Sequence, residues 1–305
     1  MKIKTDLEAI MGGNLVLCQQ LLACYTTFQV GGPAEYFVLP HNFNQVGQIL
    51  KYCHEEGLNW YILGRGSNLL ISDRGLKGVV ILIEENLSEV QVQGNLIRVQ
   101  AGALLGGVCK IAQVTGLSGL EFACGIPGTI GGAVVMNAGA YDGEMKDVLC
   151  RVLAVDSKGN FHNYEADQLE LGYRRSIFQT NGQVVLEAEM ELVEEDRHKI
   201  KEKMDELTRR REEKQPLDKA SAGSTFKRPV GYFTGQLIDQ CQLRGARLGG
   251  AAVSDKHCGF IVNDRNASAQ DIFNLINKVQ RVVLQQHEVE LHPEIRIWGE
   301  FEEQD

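Results

Sequence analysis

Apolar residues recur at helical spacing in two stretches near opposite ends of the chain. Within residues 43–57 they line one face of a predicted helix, and Gly57 follows as a terminating residue. Within residues 268–283 the same spacing follows Ser268, a favoured N-cap residue, with Asp271 three positions later. The pattern therefore predicts an amphipathic helix in each stretch.

Short apolar runs and alternating residues occupy much of the chain between these helices. Gly94 and Asn95 separate two such runs and predict a hairpin turn. The charge-dense stretch 193–215 predicts a helix that leads from one domain to the next and ends before Pro216. Together these patterns predict an α+β protein rather than a repeating βαβ array. The predicted strands are 60–63, 78–83, 90–93, 96–99, 148–156, 184–192 and 291–298.

The acidic composition argues against nucleic acid as a general partner. The net charge is −9 over 305 residues, whereas a general nucleic-acid binder needs a basic surface. A small anionic ligand is not excluded, because a local cluster of Arg and Lys can oppose the sign of the whole chain.

Other features of the composition predict a cytoplasmic protein without a metal site. The chain has eight cysteines and no CxxC pair, which is typical of a reduced, cytosolic protein. The histidines show no HxxxH or HExxH spacing. The N-terminal residues lack the apolar core of a signal peptide. The uncharged stretch 122–141 contains Pro127 and five glycines, which argues against a membrane span.

Two glycine-rich loops are candidates for ligand binding. The first, LGRGSNLL (63–70), follows a predicted strand, and its glycines let backbone N–H groups turn toward one point, as in a pyrophosphate cradle. It is neither a P-loop nor a Rossmann fingerprint, and taken alone it is better explained as a tight structural turn. The second, EFACGIPGTIGGAVVMNAGAYDGE (121–144), adds a possible capping residue, Thr129. Two such loops favour a dinucleotide whose phosphates lie between them.

Seven motifs, in the expected order, resemble the UDP-N-acetylenolpyruvoylglucosamine reductase (UDP-N-acetylmuramate dehydrogenase) family. The resemblance covers nearly the whole chain. One branch of this family carries an extra loop with a tyrosine that closes over the substrate. The short passage from 179 to 184 leaves no room for that loop, so the chain resembles the shorter branch. The motifs are TTFQVGGPAEYF (26–37), LGRGSNLLISDRGLKGVVI (63–81), GLEFACGIPGTIGGAVVMNAGAYDGE (119–144), GYRRSIFQ (172–179), AGSTFKRP (222–229), LIDQCQLRGARLGGAAVS (237–254) and HPEIRIWGE (292–300).

The resemblance implies a fold and a reaction. The fold is an FAD-binding domain of the vanillyl-alcohol-oxidase (PCMH) type at 1–195, with an N-terminal subdomain to about 85, a connecting helix at 196–216 and a smaller α+β substrate-binding domain at 217–305. The reaction is the NADPH-dependent reduction of UDP-N-acetylenolpyruvoylglucosamine to UDP-N-acetylmuramate for peptidoglycan synthesis, with bound FAD. It requires neither a membrane nor a nucleic acid, and a monomer is compatible with it.

Three residues match the catalytic positions of the family. The resemblance implies that Arg174 polarises the substrate carboxylate, for which a guanidinium fork is better suited than a lysine. It implies that Ser224 donates the proton and that Glu294, in its protonated form, hydrogen-bonds the developing negative charge. Without the motifs, these residues would be interpreted as a surface arginine beside Arg175, a turn serine and an exposed strand carboxylate.

The resemblance also implies binding residues in both loops and in later motifs. Lys214, Arg228 and His257 are candidates for the diphosphate and uridine of the substrate. Arg211 and Arg296 are candidates for the flavin phosphates. The predicted FAD-binding residues of the loops are Gly64, Arg65, Gly66, Ser67, Asn68 and Leu69, followed by Gly125, Ile126, Gly128, Thr129, Gly131, Gly132 and Ala133.

Two rival functions use the same loops. An oxidase of the same flavin fold class could tether flavin through a His or Cys, but no such residue stands out in the sequence. A non-catalytic nucleotide-binding protein would keep the loops without needing Arg174, Ser224 and Glu294 together. The presence of all three favours the reductase.

Overall fold

The computed structural model describes residues 2–13 and 16–302, and the chain forms two compact units. Unit 1 comprises residues 1–18, 36–65 and 78–211, and unit 2 comprises 19–35, 66–77 and 212–305. The predicted domains were contiguous, whereas these units are interleaved along the sequence. Two N-terminal segments belong to unit 2 because they pair and pack with the C-terminal residues of that unit. The functional assignment of the domains stays a prediction.

Helices and strands alternate irregularly along the chain, as the mixed pattern predicts. The helices are α1 (Lys2–Ile10), α2 (Phe43–Glu55), α3 (Leu105–Thr115), α4 (Ile130–Met136), α5 (Arg197–Lys214), α6 (Thr234–Gln240) and α7 (Ala269–His287). The strands are β1 (Leu17–Leu21), β2 (Pro33–Val38), β3 (Trp60–Leu63), β4 (Leu69–Ile71), β5 (Leu76–Leu82), β6 (Val90–Gln93), β7 (Leu96–Gln100), β8 (Leu117–Ser118), β9 (Gly139–Ala140), β10 (Gly143–Glu144), β11 (Leu149–Val155), β12 (Phe161–Glu165), β13 (Val184–Glu191), β14 (Val193–Glu194), β15 (Arg247–Leu248), β16 (Ala251–Val253), β17 (Ile261–Asn263) and β18 (Arg296–Trp298).

Unit 1 contains a five-stranded antiparallel sheet in the order β12-β11-β13-β7-β6. Gln93 pairs with Leu96, so the predicted hairpin turn at Gly94 and Asn95 is confirmed. Where one face of the sheet packs on the core, only one side chain in two is buried. In β7, for example, Ile97 and Val99 are buried and Arg98 is exposed.

The first predicted helix is confirmed as α2 in unit 1. Asn42 caps it by accepting a hydrogen bond from the Gln45 amide at 2.9 Å. Gly57 follows with φ +64°, the left-handed conformation that a helix-terminating glycine adopts at low cost. The parallel pair β3 and β5 lies in the same unit, with Trp60 opposite Val79.

Unit 2 contains the antiparallel sheet β15-β16-β17, helix α7 and a parallel pair formed by β4 and β18. Ser268 accepts from the Asp271 amide and Asp271 accepts from the Ser268 amide, so the predicted cap of α7 is confirmed as a capping box. Buried residues of α7, including Ile272 and Leu275, share a core with Phe28 and Leu70 from the N-terminal segments of the unit.

Two predicted elements are shorter in the structure than in the prediction. Residues 193–194 form β14, which pairs with β8, and the helix begins only at Arg197. Asp196 caps it, since its carboxylate accepts from the amides of His198 and Lys199. Within the predicted strand 291–298, only β18 is regular, and Pro293 makes a single bridge with Phe226.

The uncharged stretch 122–141 contains no long helix. Its helical part is α4, which has seven residues. In the residues that the structure describes, no helix is both long enough and apolar enough to cross a membrane.

Candidate active site

The two glycine-rich loops meet within unit 1 at Gly64 and Thr129. A β-carbon added to Gly64 would lie 2.5 Å from the hydroxyl oxygen of Thr129, so only glycine fits at this approach. Thr129 also caps α4, as predicted, because its hydroxyl accepts from the Gly132 amide at 3.4 Å. The prediction that the two loops lie together is therefore supported within unit 1.

The backbone donors of the second loop divide into two groups. The Ile130 and Gly131 amides donate to Ala103 and Ala101 carbonyls at 2.9 and 2.8 Å, so they are committed within the protein. The Gly125, Gly128 and Thr129 amides donate to no protein acceptor among residues 2–13 and 16–302. These three amides, rather than that of Gly131, are the donors that a phosphate could use.

Arg211 extends along the same loop as a desolvated cation. A β-carbon on Gly125 would lie 2.8 Å from the Arg211 Cδ, so glycine at 125 gives the arginine its room. Nε of Arg211 is buried and has no hydrogen-bond partner within the described part of the chain. Burial lowers the pKa of this guanidinium, and the groups that interact with its charge are Tyr141 and Cys124 rather than carboxylates. A buried cation without an acidic partner fits an anionic ligand such as the FAD pyrophosphate.

Arg65, which the first loop contributes as a predicted FAD-binding residue, has a protein partner in unit 1. Its Nη1 lies 3.4 Å from the Glu84 carboxylate in an exposed ion pair. Solvent screens such a pair, so it contributes little to stability.

The first loop continues into unit 2, where Asn68 contacts the HPEIRIWGE motif (292–300). Gly66 has φ +62° and leaves no room for a β-carbon beside the Tyr25 carbonyl. The side-chain amide of Asn68 donates to the Glu294 carbonyl at 3.3 Å, and the Arg296 amide donates to the Asn68 carbonyl at 2.9 Å. The structure therefore brings predicted FAD-binding residues close to the predicted catalytic Glu294. The Arg296 side chain is exposed.

Ser224 and Glu294 lie on paired segments of unit 2. Phe226 bridges Pro293 in antiparallel fashion, and the Glu294 amide donates to the Thr225 carbonyl at 2.8 Å. Thr225 is fully buried, and its hydroxyl accepts from the Ile261 amide at 3.0 Å, which fixes the segment beside β17. Both Ser224 and Glu294 are half-buried. The segments that carry two of the three predicted catalytic residues are thus paired in one unit.

Arg174, the third, lies in a tight turn of unit 1. Gly172 and Arg175 exchange reciprocal backbone hydrogen bonds of 3.1 and 3.0 Å around it. Its φ is +52°, and its Nη2 donates to the Gly139 carbonyl at 3.2 Å. Arg175 is turned away in an exposed ion pair with Glu170. The two arginines thus differ in their surroundings, and the catalytic role of Arg174 stays a prediction.

The predicted substrate-binding residues differ in their surroundings within unit 2. The Arg228 guanidinium lies 3.9 Å from the centroid of the Phe233 ring, an arrangement typical of a cation–π contact. Nδ1 of His257 accepts from the Gly259 amide at 3.1 Å, and burial lowers the pKa of this imidazole. His257 is therefore a neutral side chain with Nε2–H as its donor. Lys214 is exposed at the end of α5.

Asn137 and Gln179 contact the Arg174 turn, a role that the sequence patterns did not predict. Asn137 is fully buried, and Gln179 donates to the Arg174 carbonyl at 2.9 Å. The only signal in the sequence is the position of each within a motif. In the residues that the structure describes, no cluster of three or more His, Cys, Asp or Glu is arranged to hold a metal ion.

Similarity to known proteins covers both parts of the chain. Residues 34–165 match the model of an FAD binding domain, and residues 215–298 match that of the UDP-N-acetylenolpyruvoylglucosamine reductase C-terminal domain. The matches confirm the predicted fold class, an α+β protein with an FAD-binding domain followed by a smaller domain.

Individual relatives extend the similarity along almost the full length. The UDP-N-acetylenolpyruvoylglucosamine reductase of Clostridium perfringens (strain SM101) is 51% identical over 272 residues, 89% of each chain. That of Clostridium botulinum (strain Hall) is 46% identical over 96% of this chain and 95% of its own. The crystal structure of the Thermus caldophilus enzyme has a TM-score of 0.82 and 37% identity over 93% of this chain and 99% of its own. The chain therefore belongs to the UDP-N-acetylenolpyruvoylglucosamine reductase family and is an oxidoreductase with FAD as its cofactor.

Proposed function

We propose that the protein reduces UDP-N-acetylenolpyruvoylglucosamine to UDP-N-acetylmuramate, a precursor of peptidoglycan, at the expense of NADPH. Bound FAD would supply the redox chemistry, which is hydride transfer from NADPH to the terminal carbon of the enolpyruvyl group. A proton then adds to the neighbouring carbon, so the C=C bond is reduced and NADPH is oxidised to NADP⁺. The residues of this chain bind, orient and protonate.

FAD binding uses the second loop and Arg211. The Gly125, Gly128 and Thr129 amides and the Arg211 Nε are polar donors without a protein acceptor in the described residues. A pyrophosphate would satisfy such donors through charge-assisted hydrogen bonds, which are stronger than neutral ones. Glycine is needed at positions 64 and 125, because a side chain there would displace Thr129 or Arg211, respectively.

Substrate binding uses several positively charged or donor side chains. Arg174 opposes the substrate carboxylate, on which negative charge grows as hydride arrives. Arg228 and Lys214 provide positive charge for the diphosphate, while the neutral His257 donates one hydrogen bond from Nε2. Because the net charge of the chain is −9, attraction of the anionic substrate depends on local cations such as these.

Protonation is the role of Ser224, with Glu294 beside it. The observation that carries the proposal is the backbone hydrogen bond of 2.8 Å from Glu294 to Thr225, the residue after Ser224. This pairing places the segments of a hydroxyl residue and a carboxyl residue side by side, which supports a shared role in general acid chemistry.

The reaction is assigned to the cytoplasm. All eight cysteines lie in the described residues as free thiols, which suits a reducing compartment.

An anaerobic two-step titration tests the proposed function. We expect NADPH to bleach the yellow flavin absorbance of the purified holoenzyme, and UDP-N-acetylenolpyruvoylglucosamine to restore it without oxygen. UDP-N-acetylglucosamine, which lacks the enolpyruvyl group, is the control and should leave the flavin reduced. A flavin that NADPH bleaches but the enolpyruvyl substrate does not reoxidise would refute the substrate assignment.

A further inference from the structure

Helix α4 joins the second glycine-rich loop to the Arg174 turn. Its N-cap is Thr129, in the loop that we assign to FAD, and its last turn contains Val135. The Val135 carbonyl accepts hydrogen bonds from the Ser176 hydroxyl at 2.7 Å and from the Gln179 side-chain amide at 2.9 Å. Both donors follow Arg174 closely in sequence, so these bonds fix one side of the turn to the end of α4.

Gln179 holds the turn through a single amide group. Its Nε2 donates to the Val135 carbonyl and to the Arg174 carbonyl, each at 2.9 Å. An amide nitrogen has two hydrogens, so both are used. Gln179 therefore connects the main chain of Arg174 directly to α4.

Asn137 holds the other side of the turn. This residue is fully buried and ends α4 in the left-handed conformation, with φ +41°. Its Nδ2 donates to the Gly172 carbonyl at 2.9 Å and to the Glu144 carboxylate at 2.8 Å, while its Oδ1 accepts from the Lys146 amide at 2.9 Å. Every polar group of the side chain is satisfied, as a buried amide requires.

Arg174 itself has an unfavourable backbone conformation. Its φ of +52° is in the left-handed region, which costs a residue with a side chain about 1–2 kcal/mol. Such conformations persist where the surroundings fix them, and they concentrate at functional sites. The bonds from Gln179 and Asn137, one on each side of Arg174, are interactions that can offset this cost.

We propose that Asn137 and Gln179 are positioning residues that present the Arg174 guanidinium in one orientation to the carboxylate of the substrate. Neither residue needs to touch the substrate, since each acts on the main chain of the turn. The proposal rests on the proposed role of Arg174. In this proposal α4, which begins at the flavin-binding loop, also fixes the orientation of the substrate-binding arginine.

Two substitutions test the proposal independently. Gln179→Met keeps the length of the side chain but removes both hydrogen bonds, and Asn137→Gly keeps the left-handed backbone accessible while removing the side chain. We expect each to slow reoxidation of reduced flavin by the enolpyruvyl substrate by about 10- to 100-fold, as misplacement of a catalytic group by about 1 Å does. Reduction of the flavin by NADPH should keep its wild-type rate.

The matched control is Gln113→Met. Gln113 donates a similar side-chain hydrogen bond to a main-chain carbonyl, that of Arg197, at 3.1 Å in the same unit. It should reoxidise at the wild-type rate. If this control slowed reoxidation as much as Gln179→Met does, the loss would reflect general destabilisation and the proposal would be wrong.

A double-mutant cycle separates this proposal from the proposed function. In an Arg174→Ala background, Gln179→Met should cause no further loss of the reoxidation rate, because there is no guanidinium left to position. Additional loss that multiplies with that of Arg174→Ala would overturn the positioning role. If Arg174→Ala alone leaves reoxidation at the wild-type rate, the catalytic assignment of Arg174 fails instead. If Arg174→Ala is slow but Gln179→Met and Asn137→Gly are not, only the positioning proposal fails.

Discussion

Gly64 lies so close to Thr129 that a β-carbon at position 64 would stand 2.5 Å from the Thr129 hydroxyl oxygen and 3.2 Å from its methyl carbon. Thr129 cannot move freely, because it caps α4. We therefore expect Gly64→Ala to displace the loop and to weaken FAD binding at least about tenfold, or about 1.4 kcal/mol. Fluorescence titration of the apoprotein with FAD measures this loss.

Gly107→Ala is the control for this first prediction. Gly107 is exposed in α3, and a β-carbon there would meet only the Leu104 Cβ, at 4.0 Å. Alanine in a helix should raise stability by up to about 1 kcal/mol and leave FAD affinity unchanged. Wild-type FAD affinity in Gly64→Ala would show that the close approach has no bearing on the cofactor.

Arg211 should destabilise the apoprotein while it strengthens FAD binding. The Arg211 guanidinium is desolvated, and its buried Nε has no hydrogen-bond partner in the described residues, so Arg211→Met should raise the unfolding free energy of the apoprotein by about 1 kcal/mol. The same change should weaken FAD binding about 10- to 100-fold, because a charge-assisted hydrogen bond contributes roughly 1.5–3 kcal/mol. Urea unfolding and FAD titration provide the two measurements.

Arg210→Met is the matched variant for Arg211→Met. Arg210 is exposed and pairs with Glu206 one turn earlier in α5. Its replacement should leave FAD affinity unchanged. A parallel fall of apoprotein stability and FAD affinity in Arg211→Met would mean that the arginine is a structural residue instead of an anion-binding one.

Ser224→Ala should separate the two half-reactions. We expect NADPH to reduce the flavin at the wild-type rate, while reduction of the enolpyruvyl substrate slows about 10²- to 10⁴-fold for want of the proton donor. Stopped-flow absorbance at the flavin band resolves both steps. Ser221→Ala, three residues earlier in the same segment, should leave both rates unchanged. Equal losses in the two half-reactions of Ser224→Ala would assign the serine another role.

His257 should make stability depend on pH in a predictable direction. Burial lowers the pKa of this imidazole below its usual value, about 6.5 in the unfolded chain. Between the folded and unfolded pKa values the unfolded chain binds more protons, so the stability from neutral His257 is present above pH 6.5 and is lost below it. His257→Gln should therefore flatten part of the fall in urea midpoint between pH 7.5 and 5.5. His198→Gln, at an exposed position, is the control, and identical wild-type and His257→Gln profiles would refute the prediction.

Local sequence signals predicted those elements that local interactions determine. The capping box of α7 involves only Ser268 and Asp271, and the hairpin at Gly94 and Asn95 involves adjacent residues, so both were visible in the sequence. The start of α5 was misplaced because residues 193–194 pair with β8, a strand distant in sequence. Local periodicity carries no information about such a partner.

The candidate site, like the fold, could be predicted from the sequence only in part. The motifs pointed to Ser224 and Glu294, and the structure places their segments side by side. The Gly131 amide donates to the Ala101 carbonyl, and the Arg211 Nε has no partner in the described part of the chain; both facts depend on contacts between segments that the sequence does not show. The positioning role proposed for Asn137 could not be predicted, because it depends on three hydrogen bonds to distant or main-chain atoms.

The interleaved path of the chain has a practical consequence for dissecting the protein. A fragment that begins at residue 212 would lack β4, the partner of β18, and Asp73, whose carboxylate accepts from the first amides of α7. It would also lose Phe28 and Leu70 from its apolar interior. The C-terminal segment is therefore not a portable module, and cutting the gene at that point would yield a polypeptide with an open sheet edge and an unfilled core.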